Sequence, residues 1–110
     1  MKKFKITYDL DIKIHLAAIS TNYHSLILQT VRECLTYEPL VENRNRKPLK
    51  RITSLGDQVW ELRLGNIRVF YRVTRQEVLI LAIGEKNIIF LESVERNLSY
   101  ENRISSRSES

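Results

Sequence analysis

The sequence predicts an α+β domain: one N-terminal strand, a two-helix hairpin, and an antiparallel sheet of about four to five strands against which the helices pack. Three observations carry this. Val59 to Lys86 reads VWELRLGNIRVFYRVTRQEVLILAIGEK, two alternating runs around Gly65-Asn66 followed by a run that is apolar almost throughout. Tyr23 to Tyr37 places apolar residues at i, i+3, i+4 spacing, the stripe of an amphipathic helix. The length, 110 residues, suits one domain with a core that needs no disulfide or metal.

Composition narrows the classes of function. The single cysteine excludes a disulfide framework and fits a reducing cytoplasm. No run reaches the length of a membrane span. The start, MKKFKITYDLDIKIHL, is basic like a leader, but Asp9, Asp11 and Lys13 interrupt any apolar segment, so it is read as mature protein. A formal charge of +5 favours a polyanionic partner such as RNA, DNA or an acidic protein.

In chain order, Phe4, Ile6 and Tyr8 alternate with Lys5 and Thr7, a short half-buried strand. Asp9 or Asp11 can cap a helix whose apolar positions are Ile12, Leu16 and Ile19. Ser20-Thr21-Asn22 breaks it. The second helix runs from about Tyr23 to Tyr37, with Tyr23, Leu26, Ile27, Thr30, Val31, Cys34 and Leu35 as its stripe. Pro39 ends it. Leu40 to Leu55 is expected to be a loop, because Pro48 and the lack of an apolar period argue against regular structure. It holds RNRKPLKR, with Arg44, Arg46, Lys47, Lys50 and Arg51 within eight residues and no acid among them. Asn87 to Val94 is expected to be a last strand, closing a domain over residues 1–94. Residues 95–110 are polar and expected to be a disordered tail.

Gly65-Asn66 as a two-residue hairpin loop fixes a register by counting. Leu64 then faces Ile67, Leu62 faces Val69 and Trp60 faces Tyr71, forming with Val73 an apolar face for the helices. The other face opposes Arg63 to Arg68, Glu61 to Phe70 and Val59 to Arg72. A slip of one residue would mix the two faces. Two arginines directly opposite each other are a cost that an anion must offset. Glu61, one diagonal away, is one candidate; a phosphate gripped by the planar donor fork of arginine is the other. If Val78, Ile80 and Ala82 face the helices, then Leu79, Leu81 and Ile83 join Phe70 on the second face. That face would be too apolar for bare solvent, so either the C-terminal segment or a partner chain covers it, and a partner is expected to contribute.

Other chemistry-bearing residues read as structural. His15 and His24 have no third group to suggest a triad, and Cys34 lies on the helix stripe. Trp60 and Tyr71 belong to the packing face. Lys86 is either a strand-end lysine or the third cation beside the arginine pair. There is no metal-ligand spacing, no Gly-rich phosphate loop and no GxSxG, so no metal or cofactor is expected.

Three motifs in order, RNRKPLK (Arg44 to Lys50), VWELRLGNIRVFYRV (Val59 to Val73) and VLILAIGEK (Val78 to Lys86), resemble the RelE/ParE superfamily of toxins from bacterial type II toxin–antitoxin systems. The resemblance implies a RelE-like fold and a cytoplasmic toxin held by a cognate antitoxin in a hetero-oligomer. RelE-like members cleave mRNA on the ribosome without a metal, by attack of a 2′-hydroxyl on the adjacent phosphate. On that pattern Arg63, Arg68 and Lys86 match the cations at the scissile phosphate, and Arg44, Arg46, Lys47, Lys50 and Arg51 would grip flanking RNA. The alternative within the superfamily is a ParE-like inhibitor of DNA gyrase, or a weakened module that only binds its antitoxin. Two positions depart from the ribonuclease pattern. Glu61 stands where strongly active members have lysine, and Phe90 stands where a catalytic tyrosine could lie, with Tyr100 too far along to match.

Overall fold

The computed structural model describes the backbone of residues 2–52, 56 and 58–86, and the side chains of these residues other than 50–52. The expected strand at Asn87 to Val94 and the tail at 95–110 lie outside the described residues. The elements are β1 (Lys5–Tyr8), α1 (Ile12–Ala17), α2 (His24–Leu35), β2 (Arg46–Ile52), β3 (Gln58–Leu64), β4 (Ile67–Val73) and β5 (Glu77–Glu85). A single 3-10 turn, Thr21–Tyr23, leads into α2 at the expected break. The five strands form one sheet in the order β1-β5-β4-β3-β2.

The β3–β4 hairpin is the centre. Its register pairs Trp60 with Tyr71, Glu61 with Phe70, Leu62 with Val69, Arg63 with Arg68 and Leu64 with Ile67, as the alternation requires. Gly65 takes φ +59 while Asn66 stays at negative φ, the type II′ pattern whose first loop position suits glycine. Against one face pack Ile12 and Ile19 from α1 and its following turn, and Ile27, Val31 and Leu35 from α2. They meet Trp60, Leu62, Ile67, Val69, Tyr71, Val78, Ile80 and Ile83. The contact line of α2 is narrower than its apolar stripe, since Tyr23 and Leu26 remain exposed.

Three features differ from expectation. The sheet is mixed, because β1 pairs in parallel with β5, Ile6 beside Val78 and Tyr8 beside Ile80. A strand followed by helices on one face returns in parallel when its next neighbour is the last strand, as here. The basic stretch is not all loop: Arg46–Ile52 is an edge strand antiparallel to β3. An edge tolerates Pro48, whose missing N–H costs no ladder bond on the open side, and a register shift after Pro48 hides the alternation. Finally, β5 carries a bulge. Phe70 faces Ala82 but Tyr71 faces Ile80, so Leu81 is the extra residue. The bulge inverts the alternation, sending Ile83 to the helix-facing core and Ala82 to the second face. That second face holds its own small cluster, Val59, Phe70, Leu81 and Ala82, with Leu49 and Leu79 at its margin. The four central residues are buried within the single chain.

Candidate functional site

The chemistry-bearing side chains gather on the second face, beside that cluster. Two rows of residues cross the strands there. In one, Lys47 on β2 stands beside Glu61 on β3, which faces Phe70 on β4 and then Ala82 on β5. In the next, Arg63 on β3 faces Arg68 on β4, which faces Gly84 on β5. Glu61 is therefore a lateral neighbour of Lys47, a same-strand neighbour of Arg63 and a diagonal neighbour of Arg68.

Its carboxylate meets all three cations. Oε2 lies 3.7 Å from Lys47 Nζ and 3.4 Å from Arg63 Nε, and Oε1 lies 3.5 Å from Arg68 Nε. Glu61 and Arg68 are each only 8% exposed. Arg68 is further fixed by donating from Nη1 to the carbonyls of Gly65 (2.6 Å) and Ile67 (3.0 Å). Those carbonyls belong to the hairpin turn, so the turn that sets the register also orients the guanidinium. Gly84 across from Arg68 adds no side chain to this face. By contrast the side chains of Arg63 and Lys47 are 42% and 45% exposed. The like-charge pairing of Arg63 and Arg68 is thus offset inside the chain by Glu61, and three cations share one carboxylate.

The remaining predicted cations are dispersed. Arg46 neighbours Lys47 but points to the other face, where alternation places it with Leu62. There it is buried, donating from Nη1 to the carbonyl of Cys34, while its Nη2 lies 3.9 Å from Glu38 Oε2. A cation at the last turn of α2 answers the partial negative charge of the helix C-terminus. Arg44 is exposed in the bend before β2, where the Asn43 side chain accepts from the N–H groups of Asn45 and Arg46. The side chains of Lys50 and Arg51 lie outside the described residues. Lys86 is exposed at the end of β5, its backbone N–H bonded to the Asn66 carbonyl at 2.7 Å. This places it at the hairpin turn, at the same end of the sheet as Arg68. Phe90 and Tyr100 lie outside the described residues.

The structure gives work to residues that the sequence left as boundary groups. Beyond Tyr8 the β1 edge ends, and the Ile83 N–H of β5 donates instead to Nδ1 of His15 at 3.3 Å. Burial lowers the His15 pKa, with Asp11 and Asp9 acting in the opposite direction. Nothing in the sequence ties His15 to Ile83, because the link depends on where β1 stops. His24 donates from Nε2 to the Ile19 carbonyl at 2.9 Å, closing the turn between the helices. Tyr71 and Trp60 stack with ring centroids 6.3 Å apart, inside the core. Among the described residues, no helix is long and apolar enough to cross a membrane.

No family model and no curated protein matches the chain. Solved structures do. A chain of the toxin–antitoxin complex RelBE2 from Mycobacterium tuberculosis is similar at 22% identity and a TM-score of 0.62, over 76% of this chain and 99% of that one. A chain of the archaeal RelE–RelB complex from Pyrococcus horikoshii is similar at 21% identity and a TM-score of 0.61, over 78% of this chain and 98% of that one. The RelB–RelE antitoxin–toxin complex from Methanococcus jannaschii gives 14% identity and a TM-score of 0.59, over 78% and 96%. Two helices against a five-stranded mixed sheet, aligned over nearly the whole length of these chains, give this protein a RelE-like fold.

Proposed function

We propose that this chain is the toxin of a type II toxin–antitoxin module. In this reading it is a cytoplasmic endoribonuclease that cleaves mRNA on the ribosome without a metal and is neutralised by a cognate antitoxin. The observation that carries the reading is the cation cluster on the second face, set on a RelE-like sheet: Arg63 and Arg68 side by side, with Lys47 completing it from the edge strand. Attack of a 2′-hydroxyl on the adjacent phosphate builds negative charge on the phosphoryl oxygens, and preorganised guanidinium donors stabilise that charge. Arg63, half-exposed, is the arginine of the pair that RNA would reach. Arg68 beneath it supplies fixed charge, and Lys86 at the turn extends the positive edge. Arg44, with Lys50 and Arg51, would hold the flanking strand beyond Lys47, while Arg46 is engaged with α2.

The test is to induce the chain alone in bacteria and follow the order of shutdown. Translation stops first under this reading, with cleaved mRNA in polysomes. Loss of supercoiling and replication before translation would make the target gyrase. Growth unchanged, with the protein present and folded, would reduce the chain to a binding module. Lys47 and Arg63 are the positions to vary first, because both are half-exposed and their loss spares the buried Glu61–Arg68 pair.

A further inference from the structure

We infer that Oε2 of Glu61 is a place-holder for a phosphate oxygen: Lys47 and Arg63 form an exchangeable oxyanion site, and an incoming phosphodiester draws them off this carboxylate. The inference rests on reading the second face as a phosphate-binding surface.

The division of labour between the two carboxylate oxygens is the first ground. Oε1 pairs with Arg68, which is buried and held by two backbone carbonyls. Oε2 is shared by Lys47 and Arg63, both half-exposed, and is the only anionic partner of either among the described residues. A ligand can therefore replace the Oε2 contacts while Oε1 keeps Arg68 neutralised.

Geometry is the second ground. The Oε2 contacts are 3.7 and 3.4 Å and the Oε1 contact is 3.5 Å, against about 2.7–2.9 Å for a short charge-assisted bond. One carboxylate divided among three cations gives none of them its best bond. Only Nε of Arg63 engages Glu61, so no described acceptor meets its Nη1 and Nη2 edge. That edge offers the two-donor fork that fits phosphate.

Charge is the third. Lys47, Arg63 and Arg68 carry three positive charges against the one carboxylate. Two remain uncompensated within the cluster, enough to favour a phosphate even with Glu61 in place. Glu61 thereby sets a threshold: it prevents the cluster from binding anions indiscriminately and yields to one that engages Lys47 and Arg63 together.

The experiment measures inorganic phosphate binding to the full chain by calorimetry and by the Arg Nε–H and Lys side-chain NMR signals, with sodium chloride at matched ionic strength as control. Glu61→Gln keeps the shape and removes the competing charge. It should bind phosphate at least about tenfold more tightly than the parent chain. In the parent chain, the Arg63 and Lys47 signals should shift saturably while Arg68 Nε–H moves little. Equal or weaker binding in Glu61→Gln would overturn the inference, as would chloride reproducing the shifts. If Glu61→Gln does not fold, the parent-chain titration decides alone. The outcome is separable from the toxin reading, since phosphate affinity is measured without RNA or growth. Tighter binding in Glu61→Gln from a chain that causes no growth arrest leaves this inference standing and removes the toxin.

Discussion

Tyr71 shows how one side chain ties the hairpin to the end of α2. Its ring is fully buried and stacked on Trp60, and its hydroxyl donates to the Pro39 carbonyl at 2.7 Å. Pro39 follows the last turn of α2, so this bond fixes where the chain leaves the helix. Burial raises the phenol pKa well above its usual value, and the nearby Arg46 guanidinium only partly opposes this. The tyrosine thus stays a donor throughout the accessible pH range. Tyr71→Phe keeps the stacking but leaves a buried carbonyl unpaired. The expected loss is about 1–2 kcal/mol by urea denaturation, with an unchanged m-value. A loss under about 0.3 kcal/mol would show that water replaces the hydroxyl. Glu61 obeys a different rule. It is a buried carboxylate without an apolar alternative, because removing it leaves Arg68 buried and unpaired, a far larger cost than that of an exposed pair.

Between elements, the weakest-looking junction is where β1 ends and β5 continues. The Ile83 N–H would be an open donor there, and His15 of α1 takes the place of a strand. The bond requires neutral Nδ1, and burial holds the folded-state pKa below the ordinary imidazole value. The unfolded chain then binds more protons than the folded one as pH falls below about 6.5, so the contribution is complete above that value and is lost towards the lower folded pKa. His15→Ala should cost about 1–3 kcal/mol at neutral pH and flatten the decline of stability between about pH 7 and pH 5. Melting temperatures across that range check both; an equally steep decline in the variant would assign the dependence to other groups. The sequence could not show this junction, although it showed much around it. The hairpin register was legible because period-2 alternation and Gly65-Asn66 agree on one pairing. The α2 core line, Ile27, Val31 and Leu35, was legible from its spacing. β2 was not, since an edge strand with Pro48 and a register shift is specified by its neighbour β3 rather than by its own pattern. The Leu81 bulge was not either, because a run of apolar residues reads the same with or without an extra residue.

At the scale of the whole molecule, the sheet separates two uses of positive charge, and β2 makes the separation testable at adjacent positions. Arg46 points to the helices and Lys47 to the second face, an ordinary consequence of strand alternation. The sequence presented both as members of one basic run, and only the pairing of β2 with β3 divides them. Arg46 is buried against the end of α2, bonded to the Cys34 carbonyl and beside Glu38. Lys47 is half-exposed beside Glu61, where its single long ion pair adds little to stability. The two alanine variants should therefore fail in opposite ways. Arg46→Ala should lose about 2–3 kcal/mol of stability, since a charged hydrogen bond to the part-buried Cys34 carbonyl goes with it. Its binding to single-stranded RNA, measured where it is folded, should keep the parent dependence on salt. Lys47→Ala should stay within about 0.5 kcal/mol of the parent in stability. Its RNA affinity should fall, and the slope of log affinity against log salt should shrink by about 0.7, the counterion equivalent of one phosphate contact. Chemical denaturation and fluorescence titrations at several salt concentrations give the four numbers. If both variants changed the salt slope alike, RNA would be reaching both faces of the sheet, and the second face would lose its claim as the binding surface.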